Sequence, residues 1–356
     1  MTNDTVYIIG AGINQCITDY EGLNPPLTLN FFKTILKSTK YQSKEYVQKV
    51  NLVYEYIEKY WKMDKENLIN RTFNLEECFT LIQLQLMEAI EENKEQEISY
   101  LLRINSALKI MFVQFLADFE EFINSSKLMR DFGKLIYQQK PNIITFNYDC
   151  NVERSIETAS GLLNERKHNQ YKWKYPLSYG VEFDQIVIDG IKVDQSYYQK
   201  NKLYDWKILK LHGSLNWFKY LPVDQKRNLQ QNGKVVLTSE KWWLTEPENI
   251  DGLIIDPVII PPVLYKNYNQ ELIWELWVKA KECLSQCKNL IVIGYSFPPT
   301  DFGIRKLLLE SFENNSLEKL VIVNPDTTIV SKLKKLVHYD KPVLVCSDLS
   351  EFLHKV

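Results

Sequence analysis

The chain has 356 residues, of which 45% are hydrophobic and 13% aromatic, and its 43 basic and 45 acidic residues leave a formal net charge of −2. This apolar content with so little net charge excludes a disordered chain, and the lack of a basic excess argues against a general nucleic-acid-binding protein. The 12 glycines are about half of average usage, so the position of each glycine is informative. The length predicts one large domain with insertions, or two domains.

The sequence carries no pattern typical of a membrane or secreted protein. No stretch approaches the roughly 20 apolar residues of a membrane helix, and the polar N-terminus leads directly into a short apolar run. Of the six cysteines, only Cys283 and Cys287 are close together, and their spacing is not that of a zinc module. We therefore expect a cytoplasmic protein with reduced thiols, no metal and no membrane association.

Six short apolar runs rich in β-branched residues predict the strands of a parallel sheet. They are Val6–Ile9, Ile143–Phe146, Ile208–Leu211, Leu290–Ile293, Leu320–Val323 and Val343–Cys346. Continuous apolar runs are typical of strands that are buried on both faces. Helical patterns at Gln270–Lys288, Asp301–Phe312 and Thr328–Val337 alternate with the later strands. The pattern predicts an α/β fold with a doubly wound, Rossmann-like parallel sheet and helices on both faces.

A long segment between the first two strands has helical periodicity and predicts an inserted helical subdomain. Asn74, with Glu77 three residues later, has the pattern of a helix N-cap. The predicted domains are a Rossmann-like domain of residues 1–30 and 139–356, a helical insertion of 31–138, and an irregular insertion of 160–205. The helical insertion either covers the sheet or provides a surface for oligomerisation or a partner.

Basic and aromatic residues are interleaved within the irregular insertion. They are Arg166, Lys167, His168, Tyr171, Trp173 and Tyr175. Such a mixture can bind single-stranded nucleic acid, although a solvated surface loop is the more common outcome. Because the net charge is −2, we expect nucleic acid to be involved only indirectly.

Small and polar residues follow five of the predicted strands. The five motifs are Gly10-Ala11-Gly12-Ile13-Asn14, Asn147-Tyr148-Asp149, His212-Gly213, Gly294-Tyr295-Ser296 and Asn324-Pro325-Asp326. The carboxyl ends of parallel strands meet at one edge of the sheet, where α/β folds bind their ligands. The combination therefore predicts a nucleotide site at that edge.

Each motif taken alone also has a simpler interpretation. Gly10 and Gly12 can bring the backbone close to a pyrophosphate, but Gln15 replaces the third glycine of the dinucleotide pattern, and a tight turn without ligand is the alternative. Asp149 can bind a ligand or cap the helix that follows it. His212 can act as a general base near neutral pH or be structural.

In their order along the chain, the five motifs resemble those of the sirtuin (silent information regulator) superfamily, in its prokaryotic branch associated with phage defence. The resemblance covers the predicted sheet domain and not the helical insertion, and it implies an NAD+ site with NAD+ as the substrate. Two departures stand out. The four-cysteine zinc module of the sirtuin deacylases is missing, since no cysteine lies between Cys150 and Cys283, and Asn14 stands where a serine is usual.

The resemblance implies a role for each motif. Gly10, Ala11 and Gly12 would line the pyrophosphate, and Asn14 would replace the usual serine as a hydrogen-bonding group. Asn147 would position the water or ribose at the reacting carbon, Asp149 would hold the nicotinamide end, and His212 would act as general base on the ribose hydroxyls. Gly294, Ser296, Asn324 and Asp326 would contact the adenosine side.

Without a zinc module to help build an acyl-peptide groove, the resemblance implies an NAD+ glycohydrolase that depletes cellular NAD+ in anti-phage (abortive infection) defence. Such an enzyme needs control, which implies a homo-oligomer or a partner. In related systems the partner is a hexameric translocase ATPase or a short Argonaute. The sequence contains no P-loop, so any ATPase would be another protein. The alternatives are a non-catalytic sensor of NAD+ or ADP-ribose, an ADP-ribosyl or deacyl transferase, and a nuclease.

Overall fold

The computed structural model describes residues 4–123, 125–163, 178–188, 191–193, 206–224, 230, 232–238, 252–263, 271–298 and 301–356. The chain divides into two compact units. The sheet unit comprises Met1–Cys16, Ile123–Ile259 and Tyr268–Val356, and the helical unit comprises Ile17–Phe122 and Ile260–Asn267. The sequence predicted the helical insertion at 31–138, so the observed limits differ at both ends.

The described strands, in chain order, are β1 (Thr5–Ile9), β2 (Asn142–Thr145), β3 (Gln185–Ile188), β4 (Ile191–Lys192), β5 (Ile208–Lys210), β6 (Gly213–Pro222), β7 (Lys234–Thr238), β8 (Gly252–Ile259), β9 (Asn289–Ile293), β10 (Lys319–Val323) and β11 (Leu344–Cys346). The described α-helices are α1 (Phe31–Ile35), α2 (Lys44–Trp61), α3 (Lys65–Asn70), α4 (Leu75–Glu91), α5 (Glu95–Phe119), α6 (Lys127–Gln139), α7 (Asn151–Leu163), α8 (Glu271–Ser285), α9 (Phe302–Ser311), α10 (Thr328–Leu336) and α11 (Leu349–Lys355).

A six-stranded parallel sheet with the order β11-β10-β9-β1-β2-β5 is the framework of the sheet unit. The register pairs Ile9 with Thr145 and with Ile293. It also pairs Thr145 with Lys210, and Ile293 with Val323. Each of these residues is the last of its strand, so the strands end level at the carboxyl edge. The six predicted strands are the six strands of this sheet, which confirms the α/β class.

The central strand β1 shows how helices flank the sheet. The Tyr7 ring meets the rings of Phe132 on α6 and Phe352 on α11 edge-on, at centroid distances of 6.3 and 6.4 Å. The Tyr7 hydroxyl donates to the Gln139 side chain at 2.7 Å. Burial of these rings contributes roughly 2 kcal/mol each to stability, which holds both helices against β1.

A second sheet of five strands, with the order β4-β3-β7-β6-β8, was not predicted. Strand β6 pairs antiparallel with β7 and β8, and its first six residues are all buried. Ser214 and Asn216 alternate with Leu215 and Trp217 in that stretch, so the sequence does carry a short strand pattern, although both faces of the strand are buried. Strands β3 and β4 lie within the predicted irregular insertion of 160–205, whereas its basic and aromatic residues lie outside the described residues.

The helical unit contains helices α1 to α5, as the periodicity predicted. Asn74 is the N-cap of α4, where its side chain accepts a hydrogen bond from the Glu76 backbone N–H at 3.0 Å, so the predicted cap is confirmed. Helix α6, within the predicted insertion, groups instead with the sheet unit. On α4 and α5, apolar side chains stay exposed at Leu84, Met87, Ile90, Leu102 and Ile110.

Helix α5 corrects the expectation that no stretch reaches the length of a membrane helix. Judged by length and composition alone, and among the described residues, α5 is long and apolar enough to cross a membrane. Just over half of its most apolar window, 56%, is buried. Phe112 and Phe115 on that helix pack against the Phe31 ring of α1, so its apolar face lies inside the helical unit.

Candidate active site at the carboxyl edge of the sheet

The loops after β1, β2, β5, β9 and β10 carry every predicted site residue, and all five loops belong to the sheet unit. Because these strands end level, the loops begin at the same height above the sheet. The predicted meeting of the five motifs at one edge therefore follows from the register. The contacts between the loops decide which residues meet.

Two loops are held together by glycines. The backbone N–H of Gly10 donates to the Ile293 carbonyl and that of Gly12 to the Gly294 carbonyl, both at 2.9 Å. A Cβ added to Gly10 or Gly12 would lie 2.6–2.7 Å from backbone atoms of Gly294. Gly294 itself has a φ of +61°, which only glycine adopts at little cost. The N–H groups of two glycines predicted to line a pyrophosphate are therefore already used inside the protein.

Asn147 is anchored to the same loop. Its side-chain Nδ2 donates to the Gly10 carbonyl at 3.2 Å, and its backbone N–H donates to the Thr145 hydroxyl at 3.1 Å. The side chain is 5% exposed. Anchoring at both the backbone and the side chain leaves Asn147 with one orientation at the end of β2.

Asn14 and Asp149, which are 135 residues apart in sequence, are brought into contact. Asn14 Nδ2 donates to Asp149 Oδ2 at 2.8 Å, and Asp149 Oδ1 accepts from the Asn151 backbone N–H at 3.1 Å. Asp149 thus caps the start of α7, which was the simpler interpretation, and also holds Asn14. Asn14 is 4% exposed, and its Oδ1 has no hydrogen-bond partner among the described residues. An unpaired buried acceptor costs stability, and a ligand hydroxyl or amide would satisfy it.

A buried ion pair supports this loop from below. Lys210 Nζ donates to the Asp149 carbonyl at 2.5 Å and to Glu153 Oε1 at 2.9 Å, and the Tyr179 hydroxyl donates to the same Glu153 oxygen at 3.0 Å. Lys210 is fully buried. Burial is the largest single influence on the pKa of the Lys210 ammonium and would lower it, but Glu153, Cys150 and Asp149 together outweigh burial, so that the pKa is raised above its ordinary value.

His212 lies at the junction of the two sheets, between the end of β5 and the start of β6. The next residue, Gly213, has a φ of +83°, and a Cβ there would overlap the Val258 carbonyl. The chain can therefore turn from one sheet into the other directly after His212 only because glycine follows. The imidazole is 5% exposed and meets the Phe146 ring edge-on at 5.0 Å.

The sequence reasoning missed two residues beside His212. Asp301 is 1% exposed, and its Oδ2 lies 3.6 Å from His212 Nε2. The Tyr295 hydroxyl donates to the same Asp301 oxygen at 2.5 Å. Asp301 was recognised from its sequence position only as the start of a helix. The one available signal was that this aspartate follows the fourth motif closely.

Three predicted residues lie outside this cluster of contacts. Ser296 is exposed. Asn324 donates to the Tyr295 carbonyl at 3.3 Å and so joins the loop after β10 to the loop after β9. Asp326 is exposed and accepts hydrogen bonds from Thr328, which lower the pKa of its carboxyl group. Its carboxylate is therefore engaged locally at the start of α10.

No group of three or more metal-ligating side chains occurs among the residues that the structure describes. All six cysteines are free thiols. The chemistry that the described cluster can supply is that of an imidazole next to a carboxylate, a fixed asparagine amide, and a second carboxylate hydrogen-bonded to Asn14. Together these groups can orient a sugar, accept a proton and stabilise positive charge.

The sequence matches no protein-family model and no curated protein at a significant level. Among solved structures, the chain is similar to Sir2 in complex with the inhibitor EX-527, 2′-O-acetyl-ADP-ribose and a deacetylated p53 peptide, with 14% identity and a TM-score of 0.35 over 99% of this chain and 91% of that one. A Sir2 mutant with a p53 peptide and NAD matches with 14% identity and a TM-score of 0.34 over the same shares.

A Sir2 homolog–NAD complex matches with 11% identity and a TM-score of 0.35, over 99% of this chain and 86% of that chain. At TM-scores this low, the likeness carries no argument about function. The fold described above therefore stands on the strand order and register of the chain itself.

Proposed function

We propose that the chain is an NAD+ glycohydrolase, which cleaves NAD+ to nicotinamide and ADP-ribose. The observation that carries the proposal is the placement of Asn147 and His212 at the level ends of the adjacent strands β2 and β5, with a buried carboxylate beside the imidazole. The ordered motifs that resemble those of sirtuins supply the substrate class. A non-catalytic sensor would need the glycine loops but not a histidine backed by Asp301.

The reaction needs little covalent chemistry from the protein. The bond between ribose C1′ and the nicotinamide nitrogen breaks, and its electron pair neutralises the positive nicotinamide, which leaves without a general acid. The sugar passes through an oxocarbenium-like state, as in glycoside hydrolysis. Water adds to C1′ and gives its proton to His212, so that the balance is NAD+ plus water to nicotinamide, ADP-ribose and a proton. Asn147 orients the sugar or the water, a task of positioning.

The fit of the nucleotide rests on an acceptor that remains unused. The Oδ1 of Asn14 is buried without a partner among the described residues, beside the Asp149 carboxylate. This oxygen suits a hydroxyl or carboxamide donor of the nicotinamide-ribose half. Because the N–H groups of Gly10 and Gly12 are occupied, we propose that these glycines support the pyrophosphate by allowing close approach rather than by donating hydrogen bonds.

The proposal includes a cellular role and its control. We propose that NAD+ depletion serves bacterial anti-phage defence, with activity gated by self-assembly or by a partner protein such as a translocase ATPase or a short Argonaute. The exposed apolar side chains of α4 and α5 are consistent with the prediction that the helical segment forms the gating surface. Soluble expression in the cytoplasm is part of the same proposal.

The test combines binding with turnover. Purified chain, alone and co-purified with the product of its neighbouring gene, is titrated with NAD+ by calorimetry, and nicotinamide release is followed by chromatography. We expect binding, and turnover that falls by about 10²-fold or more in His212→Ala and in Asn147→Ala. The matched controls are His354→Ala and Asn314→Ala, both at exposed positions in the sheet unit.

Each outcome decides between functions. Binding without cleavage under either condition would contradict the hydrolase and support the sensor. No binding would contradict both. Full activity in His212→Ala or Asn147→Ala would refute the assigned roles. Transfer of ADP-ribose to protein in place of free ADP-ribose would favour the transferase.

A further inference from the structure

Asp301 occupies the N-cap position of α9 but does not cap that helix. No hydrogen bond joins its side chain to the first turn of α9. Two other N-cap aspartates behave as expected, since Asp64 accepts from the Asn67 backbone N–H at 2.8 Å and Asp348 accepts from that of Glu351 at 2.9 Å. An N-cap aspartate contributes about 1 kcal/mol through such a bond. The carboxylate of Asp301 is therefore directed elsewhere.

The Asp301 carboxylate is directed at Tyr295 and His212. A single oxygen, Oδ2, accepts from the Tyr295 hydroxyl at 2.5 Å and lies 3.6 Å from His212 Nε2. The carboxylate is 1% exposed, so little water screens it from the imidazole. The hydroxyl of Tyr295 restricts the rotation of the carboxylate, which keeps Oδ2 on the side of the imidazole.

Aromatic rings restrict the imidazole itself. The Phe146 ring stacks on the Tyr295 ring at 4.4 Å and meets the His212 ring edge-on at 5.0 Å, while the Tyr148 ring lies tilted at 6.1 Å. The Trp277 indole N–H donates to the Leu211 carbonyl at 3.2 Å, which fixes the backbone next to His212. Asp301 is thus one part of a packed assembly that holds the ring in place.

We propose that Asp301 is the positioning residue for His212. Its carboxylate places the imidazole proton on Nε2 and stabilises the positive charge that the ring carries once it has accepted the proton of the attacking water. A buried carboxylate does the same for the histidine of a serine-hydrolase triad. The 3.6 Å separation is beyond hydrogen-bonding distance, and we expect it to shorten when substrate binds, as catalytic contacts in ligand-free enzymes often do. The proposal rests on the proposed function only in that His212 is the base.

The first measurement needs no turnover. The chain contains four histidines, so long-range nitrogen–proton spectra of protein labelled with ¹⁵N-histidine give four imidazole patterns, and His212→Gln identifies the one of interest. We expect His212 in the form protonated at Nε2, and we expect Asp301→Ala to change its pattern while the other three stay constant. A His212 ring protonated at Nδ1 alone, or a pattern indifferent to Asp301→Ala, would overturn the proposal.

The second measurement separates positioning from a structural role. Asp301→Asn keeps the size of the side chain and removes its charge, and we expect kcat to fall at least tenfold while KM changes less than threefold. Asp348→Asn, at an N-cap that the helix does use, is the control and is expected to change stability alone. A fall in Tm for Asp301→Asn with kcat unchanged would show a structural residue. If the wild type cleaves no NAD+, the spectra still decide the assignment of Asp301.

Discussion

Two buried aspartates, one in each unit, have similar surroundings and different uses. Asp118 in the helical unit accepts from Lys40 Nζ at 2.6 and 2.8 Å, and from the Tyr41 and Tyr20 hydroxyls at 2.6 and 3.2 Å. Asp301 in the sheet unit also accepts from a tyrosine hydroxyl, but its basic neighbour is an imidazole. Asp118 lies in the last turn of α5, whereas Asp301 lies in a loop beyond the end of β9.

The difference shows what separates a structural carboxylate from a chemical one. Burial and tyrosine hydrogen bonds are common to both sites. The charge of Asp118 is balanced by a lysine, and two hydroxyls also donate to it. Its role is therefore structural, since it joins Lys40 and the two tyrosines to α5. Asp301 is paired with an imidazole, which can take up or release a proton, at the carboxyl edge of a parallel sheet.

The largest expected effect comes from a third buried carboxylate, Glu153. Lys210→Met removes its fully buried partner, and we expect a loss of about 3–5 kcal/mol in the free energy of unfolding, measured with urea. The double variant Lys210→Met with Glu153→Leu should recover part of the loss, because no charge then stays buried alone. A loss below about 1 kcal/mol would mean that the pair is not a structural element.

The pH dependence of this pair has a defined sign. The pKa of Lys210 is raised in the folded state, because burial, the largest single influence, is outweighed by Glu153, Cys150 and Asp149 together. The contribution of the pair to stability is therefore complete below the unfolded pKa of lysine and is lost as the pH rises through the folded pKa. We expect the difference in unfolding free energy between wild type and Lys210→Met to be constant between about pH 6 and about pH 9. It should shrink only above roughly pH 10.

Gly294→Ala tests the packing of the two glycine loops. Its φ is positive, and its new Cβ would lie 2.4 Å from the Ile13 backbone nitrogen, so we expect a loss of about 3 kcal/mol. Gly22 in the helical unit has a similar φ of +70° and no atom within 4 Å of an added Cβ, which makes Gly22→Ala the matched control. The control should cost about 1 kcal/mol, and equal costs would mean that close packing adds nothing.

Asp118→Asn compares the two aspartates directly. We expect this substitution to lower the free energy of unfolding by about 2 kcal/mol, since it weakens charge-assisted hydrogen bonds, and to leave nicotinamide release within twofold of wild type. Asp301→Asn should instead lower the rate of nicotinamide release and leave the free energy of unfolding close to that of wild type. If both variants lose activity in proportion to their loss of stability, the distinction between the two sites fails.

Tyr295→Phe is the smallest expected effect. The substitution removes one hydrogen bond to Asp301 and keeps the ring that stacks on Phe146. We expect kcat to fall about fivefold, equivalent to roughly 1 kcal/mol, and KM to stay constant. A variant with wild-type kcat would show that Tyr295 does not restrain the carboxylate.

Much of the sheet could be predicted from the sequence because buried parallel strands are uninterrupted apolar runs. The positions of Asn147 and His212 at its carboxyl edge followed from that. The second sheet was not predicted, although Ser214, Leu215, Asn216 and Trp217 of β6 alternate polar with apolar residues. The polar side chains are buried as well, so they do not mark a solvent-facing side of the strand. Nor could the pairing of His212 with Asp301, because it depends on how the loops after β5 and β9 meet in space. The hydrogen bonds of Gly10 and Gly12 to the neighbouring loop could not be predicted either, because they too depend on how two loops meet in space.

The most direct test of the proposed hydrolase is the fate of the oxygen of water. The chain, alone and with its co-purified partner, is incubated with NAD+ in water enriched in oxygen-18, and the products are analysed by mass spectrometry. We expect free nicotinamide and ADP-ribose that carries one heavy oxygen at C1′, with both products reduced at least about 100-fold in His212→Ala. Intact NAD+ under both conditions, or ADP-ribose recovered on protein without the label, would contradict the proposed hydrolase.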